Sequence, residues 1–202
     1  MKHESRHHPI LRTEVFTSDG RAEPVSLRVY CKRRGGTVPI AECAACEKVV
    51  RVNLSAEVHL TGVECDDSSE VAAPEEAESE PAGALISGTV ACVAEDAMAN
   101  EAIECLIRLG KEEAPVIDRE GHYLGILRGS GLIDRANADT ALNALTRAAA
   151  VYENDTVYEA VVRMAKSRQR EIIVLSSERK VVGVLRSVDA IRWLTNARKS
   201  AG

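Results

Sequence analysis

The pattern of apolar and polar positions changes rhythm several times along the chain, and in its C-terminal part each change occurs twice. Short continuous apolar runs, Ala114-Pro115-Val116-Ile117 and Ile172-Ile173-Val174-Leu175, predict buried strands, and Tyr123–Leu127 and Val181–Leu185 predict the strands that pair with them. Ahead of these runs the apolar residues fall at helical spacing. They are Ala102, Ile103, Leu106 and Ile107 in one place and Ala160, Val161, Met164 and Ala165 in the other. Thr156 and Glu159 form a capping box at the start of the second helix. Further helices are predicted to start near Ser130 and Ser187, so each unit reads strand, helix, strand, strand, helix.

The two units superpose at a constant offset of 58 residues, 91–133 over 149–191 without a gap. Identical pairs include Glu95/Glu153, Glu101/Glu159, Glu113/Glu171, Gly125/Gly183, Leu127/Leu185, Arg128/Arg186 and Ile133/Ile191. A sheet with helices on one side leaves an apolar face bare, and a second copy can cover it. Neither half is expected to fold well alone.

Upstream, the texture is different. Residues 66–83 read D-D-S-S-E-V-A-A-P-E-E-A-E-S-E-P-A-G, with like charges, two prolines and almost nothing to bury, which predicts a disordered acidic linker. Before it, Val25–Cys31 and the stretch ending at Cys65 alternate like strands, and R-R-G-G-T marks a tight turn. The expected organisation is therefore a flexible tail over 1–24, a small β-rich Cys segment over 25–65, the linker, and a repeat pair over 84–202. The copies within the pair run about 85–138 and 143–196.

The second copy, V-Y-E-N-D-T-V-Y-E-A-V-V-R-M, then I-I-V-L, then V-V-G-V-L-R-S-V-D-A-I, resembles the cystathionine-β-synthase (CBS) repeat. The resemblance covers about residues 85–195 and implies an α/β (α+β) fold, a tandem CBS pair of two β-α-β-β-α repeats. It also implies a non-catalytic regulatory module that senses an adenosine-containing ligand of the AMP, ADP, ATP or S-adenosylmethionine class, and assembly into a homodimer through the CBS helices. In such repeats the ending G-h-h-[S/T]-x-x-D brings a carboxylate to the ribose hydroxyls. Here Gly183–Asp189 keeps the Asp but has Arg186 in place of the hydroxyl residue, whereas the first copy has Arg128 and Gly131. At most one competent site per chain is expected, built on Asp189, with Arg186 facing a phosphate and Ile172 near the base. The structural alternative for Asp189 is favourable placement at the positive end of the last helix.

Six cysteines bear on the rest of the chain. Cys43-Ala-Ala-Cys46 has the C-x2-C spacing that lets two thiolates converge on one ion, and Cys31 and Cys65 can complete a four-sulfur zinc site. An iron–sulfur centre, no metal at all, and His59 as a substitute ligand are the alternatives. Cys92 and Cys105 fall in a predicted strand and helix and read as small buried hydrophobes.

Charge and motifs narrow the function classes. The net charge of -5 comes from the linker, which carries seven acidic and no basic residues over 66–82, while 83–202 balances at sixteen of each. That balance argues against nucleic acid as a partner, and Lys32-Arg33-Arg34 reads as a solvated turn. There is no H-E-x-x-H, G-x-S-x-G or G-x-G-x-x-G, and acid–base groups are few, so no enzyme is expected. With no secretory signal and no apolar run of membrane-spanning length, a cytoplasmic protein is expected. Two other readings stand beside the regulatory one: a ligand-free dimerisation platform, and a zinc-dependent nucleic-acid-binding regulator. A protein partner is expected but not specified by the sequence.

Overall fold

The computed structural model describes residues 6–16, 22–54, 62–66, 80–86, 88–132, 140–141 and 145–200. Both predicted units are present and share one strand register. In the first, β6 (Thr89–Ala94) runs parallel to β7 (Glu113–Ile117), which pairs antiparallel with β8 (Tyr123–Arg128). In the second, β10 (Ala150–Tyr152), β11 (Glu171–Leu175) and β12 (Val181–Arg186) repeat that order. Even the irregularity recurs, between Val116 and Ile117 and between Val174 and Leu175. His122 bridges Lys180, its own counterpart at the 58-residue offset, so a local twofold axis passes between the copies.

Helices α2 (Ala99–Leu109) and α4 (Val157–Ser167) cover the sheets with Ala102, Cys105 and Leu106, and with Ala160 and Met164. Ile107 instead points outward, 74% exposed, because it stands about 100° further around the helix than Leu106, off the buried stripe. The Thr156–Glu159 box forms, with Thr156 N–H donating to the Glu159 carboxylate at 2.9 Å and Glu159 N–H donating to the Thr156 hydroxyl at 3.1 Å. Both helices end in a left-handed residue, Gly110 (φ 60°) in the first and Arg168 (φ 54°) in the second. Short helix α3 (Gly129–Leu132) and longer α5 (Ser187–Ser200) follow the last strands. Trp193 of α5 packs against the second core. Among the described residues, no helix is long and apolar enough to cross a membrane.

The lead-in segments of the two copies are exchanged. Residues 80–86 precede the first copy but dock on the second: Pro81 bridges Thr156, Ala82 N–H donates to Asp155 O, and Ile86 is buried in the second core. Reciprocally, Thr140 bridges Met98, Ala141 N–H donates to Ala97 O, and β9 (Leu145–Thr146) pairs with β8. The shared glycines make the crossing possible. A Cβ on Gly183 would meet Ile86 at 3.0 Å, and one on Gly125 would meet Thr146 O at 3.2 Å. The exchange gives a physical reason for the tandem, since each core borrows an apolar segment from the other copy's leader.

The N-terminal region differs from the expected tail and separate segment. Strand β1 (Arg6–Phe16) takes up residues assigned above to a flexible tail, because its apolar positions have two cores to enter. Leu11 sits in the core of the second copy and Phe16 in that of the first, and β1 runs parallel to β6. Thr13, also buried, donates to Val181 O at 3.1 Å. On its other side β1 pairs with β2 (Ala22–Cys31), which pairs with β3 (Gly36–Pro39). Helix α1 (Ile40–Ala44), β4 (Val49–Asn53) and β5 (Gly62–Cys65) complete the region, with β5 pairing both β1 and β4. Its own small core holds Ile10, Val29, Val38, Cys43 and Val63. Residues 67–79, the bulk of the expected disordered linker, lie outside the described residues, as does His59.

Candidate functional site

Two pockets concentrate the chemistry. The first is in the N-terminal region, where Cys31 at the end of β2, Cys43 in α1, Cys46 just after it and Cys65 at the end of β5 line one pocket of about 340 Å3. The C-x2-C turn is built by backbone bonds: Cys46 N–H donates to Cys43 O at 3.0 Å and Val49 N–H to Cys46 O at 3.1 Å. Burial, and then the thiolate charge each thiol would feel from Cys31 and Cys46, push the Cys43 thiol up. The Cys65 thiol is pushed up to about 11, by burial first and by the charges of Cys43, Cys31 and Cys46 next. The four sequence-predicted thiols are thus brought within electrostatic reach of one another. They do not yet stand at ligand spacing: among the described residues, the group whose ligand atoms all lie within 4.8 Å is Asp118, Glu120 and His122. Those three close a hairpin turn, in which Asp118 accepts from Glu120 N–H, His122 N–H and the His122 ring.

The basic run at the rim of the thiol pocket is neutralised. Lys32 pairs with Glu80 at 3.0 Å, Arg33 with Glu47 at 3.9 Å and Arg34 with Glu42 at 3.0 Å. Cys92 and Cys105 are buried away from it, and burial raises both thiols.

The second pocket, about 440 Å3, opens between the two repeats. Its walls come from matched positions of the two copies: Glu113 with Glu171, Pro115 with Ile173, and Ile126 with Val184. Arg186 also lines it, as does Glu14 from β1. Lys111 reaches Glu171 at 3.6 Å, and Arg128 pairs with Glu113 at 3.0 Å.

Of the three residues proposed above for the ligand, only Arg186 lines this cleft. Its Nε lies 2.7 Å from Asp189, which Arg192 also approaches at 3.4 Å, so the pair of site residues is closed on itself. Ile172 is turned the other way, 1% exposed in the second core. Successive strand residues point to opposite faces, so its neighbour Ile173 faces the cleft instead. Glu14, Lys111 and the Glu113/Glu171 pair were missed as cleft residues. The identity of Glu113 and Glu171 at the repeat offset was a signal that could have found the last two.

Comparison with known proteins agrees with this architecture. The CBS domain family matches residues 82–136 and 144–196, together just over half of the chain. Among curated proteins none matches. Among solved structures, a CBS domain pair/ACT domain protein from Thermotoga maritima is 21% identical with a TM-score of 0.53, over 58% of this chain and 98% of that one. The CBS-pair protein CBSX2 from Arabidopsis thaliana is 15% identical with a TM-score of 0.52, over 59% and 97%. Hypoxic response protein I, solved with two coordinated zinc ions, is 19% identical with a TM-score of 0.51, over 55% and 97%. At these identities the likeness is one of fold. The matched span, the duplicated strand register and the cleft between the copies place the chain in the CBS domain family.

Proposed function

We propose that the protein is a non-catalytic regulatory module of the cytoplasm, in which the cleft between the CBS repeats takes an adenosine-containing ligand and the four-thiol pocket holds a structural zinc ion. The observation that carries the reading is the cleft itself, about 440 Å3 and walled by equivalent residues of both copies. A volume of that order accommodates a small organic ligand. Arg186 at its edge supplies a guanidinium for a phosphate or carboxylate, and Asp189 behind it supplies the carboxylate for ribose hydroxyls once the ligand separates the pair.

The chemistry of the donor set supports zinc in the thiol pocket, because burial first and mutual repulsion second disfavour the thiolates of Cys43 and Cys65, and a bound cation offsets both. Zn–S bonds of about 2.3 Å in a tetrahedron need sulfurs roughly 3.8 Å apart, so loading draws the thiols together. A homodimer fits the apolar side chains left exposed on helices, among them Ile107, Tyr158, Val188 and Ile191. The ligand-free platform reading is favoured by one observation, the closed Arg186–Asp189 pair. The nucleic-acid reading is weakened by the paired state of Lys32, Arg33 and Arg34.

The test is a thermal-shift series on metal-replete protein with AMP, ATP and S-adenosylmethionine, followed by calorimetry. A ligand at 100 times its dissociation constant adds about 2.7 kcal/mol. No shift with any of them supports the platform instead. Elemental analysis of the same sample is expected to give about one zinc per chain. Iron in its place replaces zinc by an iron–sulfur centre, and absence of both ends the metal reading.

A further inference from the structure

The thiol pocket and the second repeat meet through a carboxylate that the ligand cleft does not use. Glu153, in the turn after β10, is 4% exposed, and its Oε2 accepts the backbone N–H of Thr37 at 2.7 Å. A Cβ on Gly36 would stand 3.4 Å from the Glu153 Oε1, so the hairpin backbone lies directly on the carboxylate. Glu153 is itself fixed in the second repeat, its N–H donating to Leu175 O and its carbonyl accepting from Gly83 N–H. Gly36 is the register partner of Cys31, so the residue lying on Glu153 stands opposite a thiol across the β2–β3 hairpin. A second link runs in parallel. Lys32, next to Cys31, pairs with Glu80, whose carbonyl accepts the N–H of Val157, the first residue of α4. Both links land on the same five residues of the second repeat. In the first repeat the counterpart Glu95 is partly exposed at the end of its strand.

A buried carboxylate costs a great deal unless hydrogen bonds hold its charged form. Its burial here is therefore conditional on the hairpin staying in place, and the hairpin carries Cys31. We infer that Glu153 is a positioning residue that transmits the state of the thiol pocket to the second repeat: occupation by a metal fixes the β2–β3 hairpin, and through Thr37 it fixes the 152–157 turn and the start of α4. Among the described residues, no corresponding hydrogen bond from the hairpin reaches Glu95 of the first repeat. The inference rests on the metal reading of the thiol pocket.

The experiment is amide hydrogen exchange on the full chain, loaded with Zn(II) and then stripped with a chelator. Stripping is expected to speed exchange about tenfold over 27–49 and also over 150–160, with 92–102 unchanged. Glu153→Ala is expected to cut the response at 150–160 by more than half, the Lys32–Glu80 link carrying what remains, while zinc content stays the same. Glu153→Gln keeps an acceptor oxygen for Thr37 and is expected to restore the response. A response confined to 27–49, or one at 150–160 that Glu153→Ala leaves undiminished, overturns the inference and leaves the metal reading standing. Should Glu153→Ala fail to fold, Glu153→Asp, which draws the carboxylate back from Thr37, takes its place in the same comparison. A chain that takes up no metal ends both.

Discussion

The turn after the leading strand carries Glu95 in the first CBS copy and Glu153 in the second, and the two glutamates have different fates. Glu95 stays partly exposed, whereas Glu153 is buried against the N-terminal hairpin. The copies agree in strand register and in their exchanged lead-in segments. They differ because a third body of chain packs on them unequally. Leu11 enters the second core and Phe16 the first, while the β2–β3 hairpin beside the thiol pocket lies on the second copy's Glu153. Duplication gives two equivalent frames, and the segment added in front makes them inequivalent.

The sharpest way to break that comparison is to remove what β1 contributes to each copy. Phe16→Ala is expected to cost about 3 to 5 kcal/mol and Leu11→Ala about 2 to 5 kcal/mol in urea unfolding. Hydrogen exchange should show Phe16→Ala loosening the first repeat and Leu11→Ala the second. Losses well under 1 kcal/mol from both would mean that the repeats stand without the strand, as a pair uncoupled by a linker would.

A smaller effect is expected from Asp189→Ala. The substitution releases Arg186 from its 2.7 Å partner and removes the carboxylate proposed for ribose. Affinity for an adenosine ligand, read by calorimetry, should fall about tenfold or more. Unchanged affinity would remove Asp189 from the site, and a gain would show that its main effect is to hold Arg186 back from the ligand.

The smallest concerns the helix ends. Gly110 and Arg168 occupy the same left-handed position, which an arginine adopts only at a steric cost. Arg168→Gly is expected to raise stability by about 0.5 kcal/mol in the same urea assay, part of the relief being lost to the greater freedom of glycine in the unfolded chain. A fall in stability would mean that the arginine side chain contributes contacts that outweigh the strain.

Much of this frame was legible in the residues, and for stated reasons. The offset of 58 is written in pairs such as Gly125/Gly183 and Leu127/Leu185, and local periodicity suffices for α2 and α4. The four thiols stood out because the C-x2-C spacing is short-range, and the structure brings Cys31 and Cys65 to the same pocket. What periodicity could not reveal is which face or partner a strand chooses. Ile172 and Ile173 are chemically identical neighbours, and only the sheet's packing decides that Ile173 faces the cleft. Residues 6–16 read as a tail because the sites that receive Leu11 and Phe16 are formed by residues far along the chain. The reciprocal lead-in exchange left one trace, the conserved spacing of Gly125 and Gly183 within the two copies, whose purpose appears only when Ile86 and Thr146 are seen against them.

The hydrogen bond from Thr13 to Val181 spans 168 residues of a 202-residue chain. During synthesis β1 is made before β6 and β12, so the place beside β6 and against β12 that receives it does not exist until those strands have followed. At about 5 to 20 residues per second, the apolar face of β1 must wait on the order of ten seconds or more without its final neighbours. Contacts of such sequence separation are late and slow to close. Strand β1 is therefore completed only after the strands that follow it in the chain, and the interval is when its edge toward β6 is most exposed to mispairing.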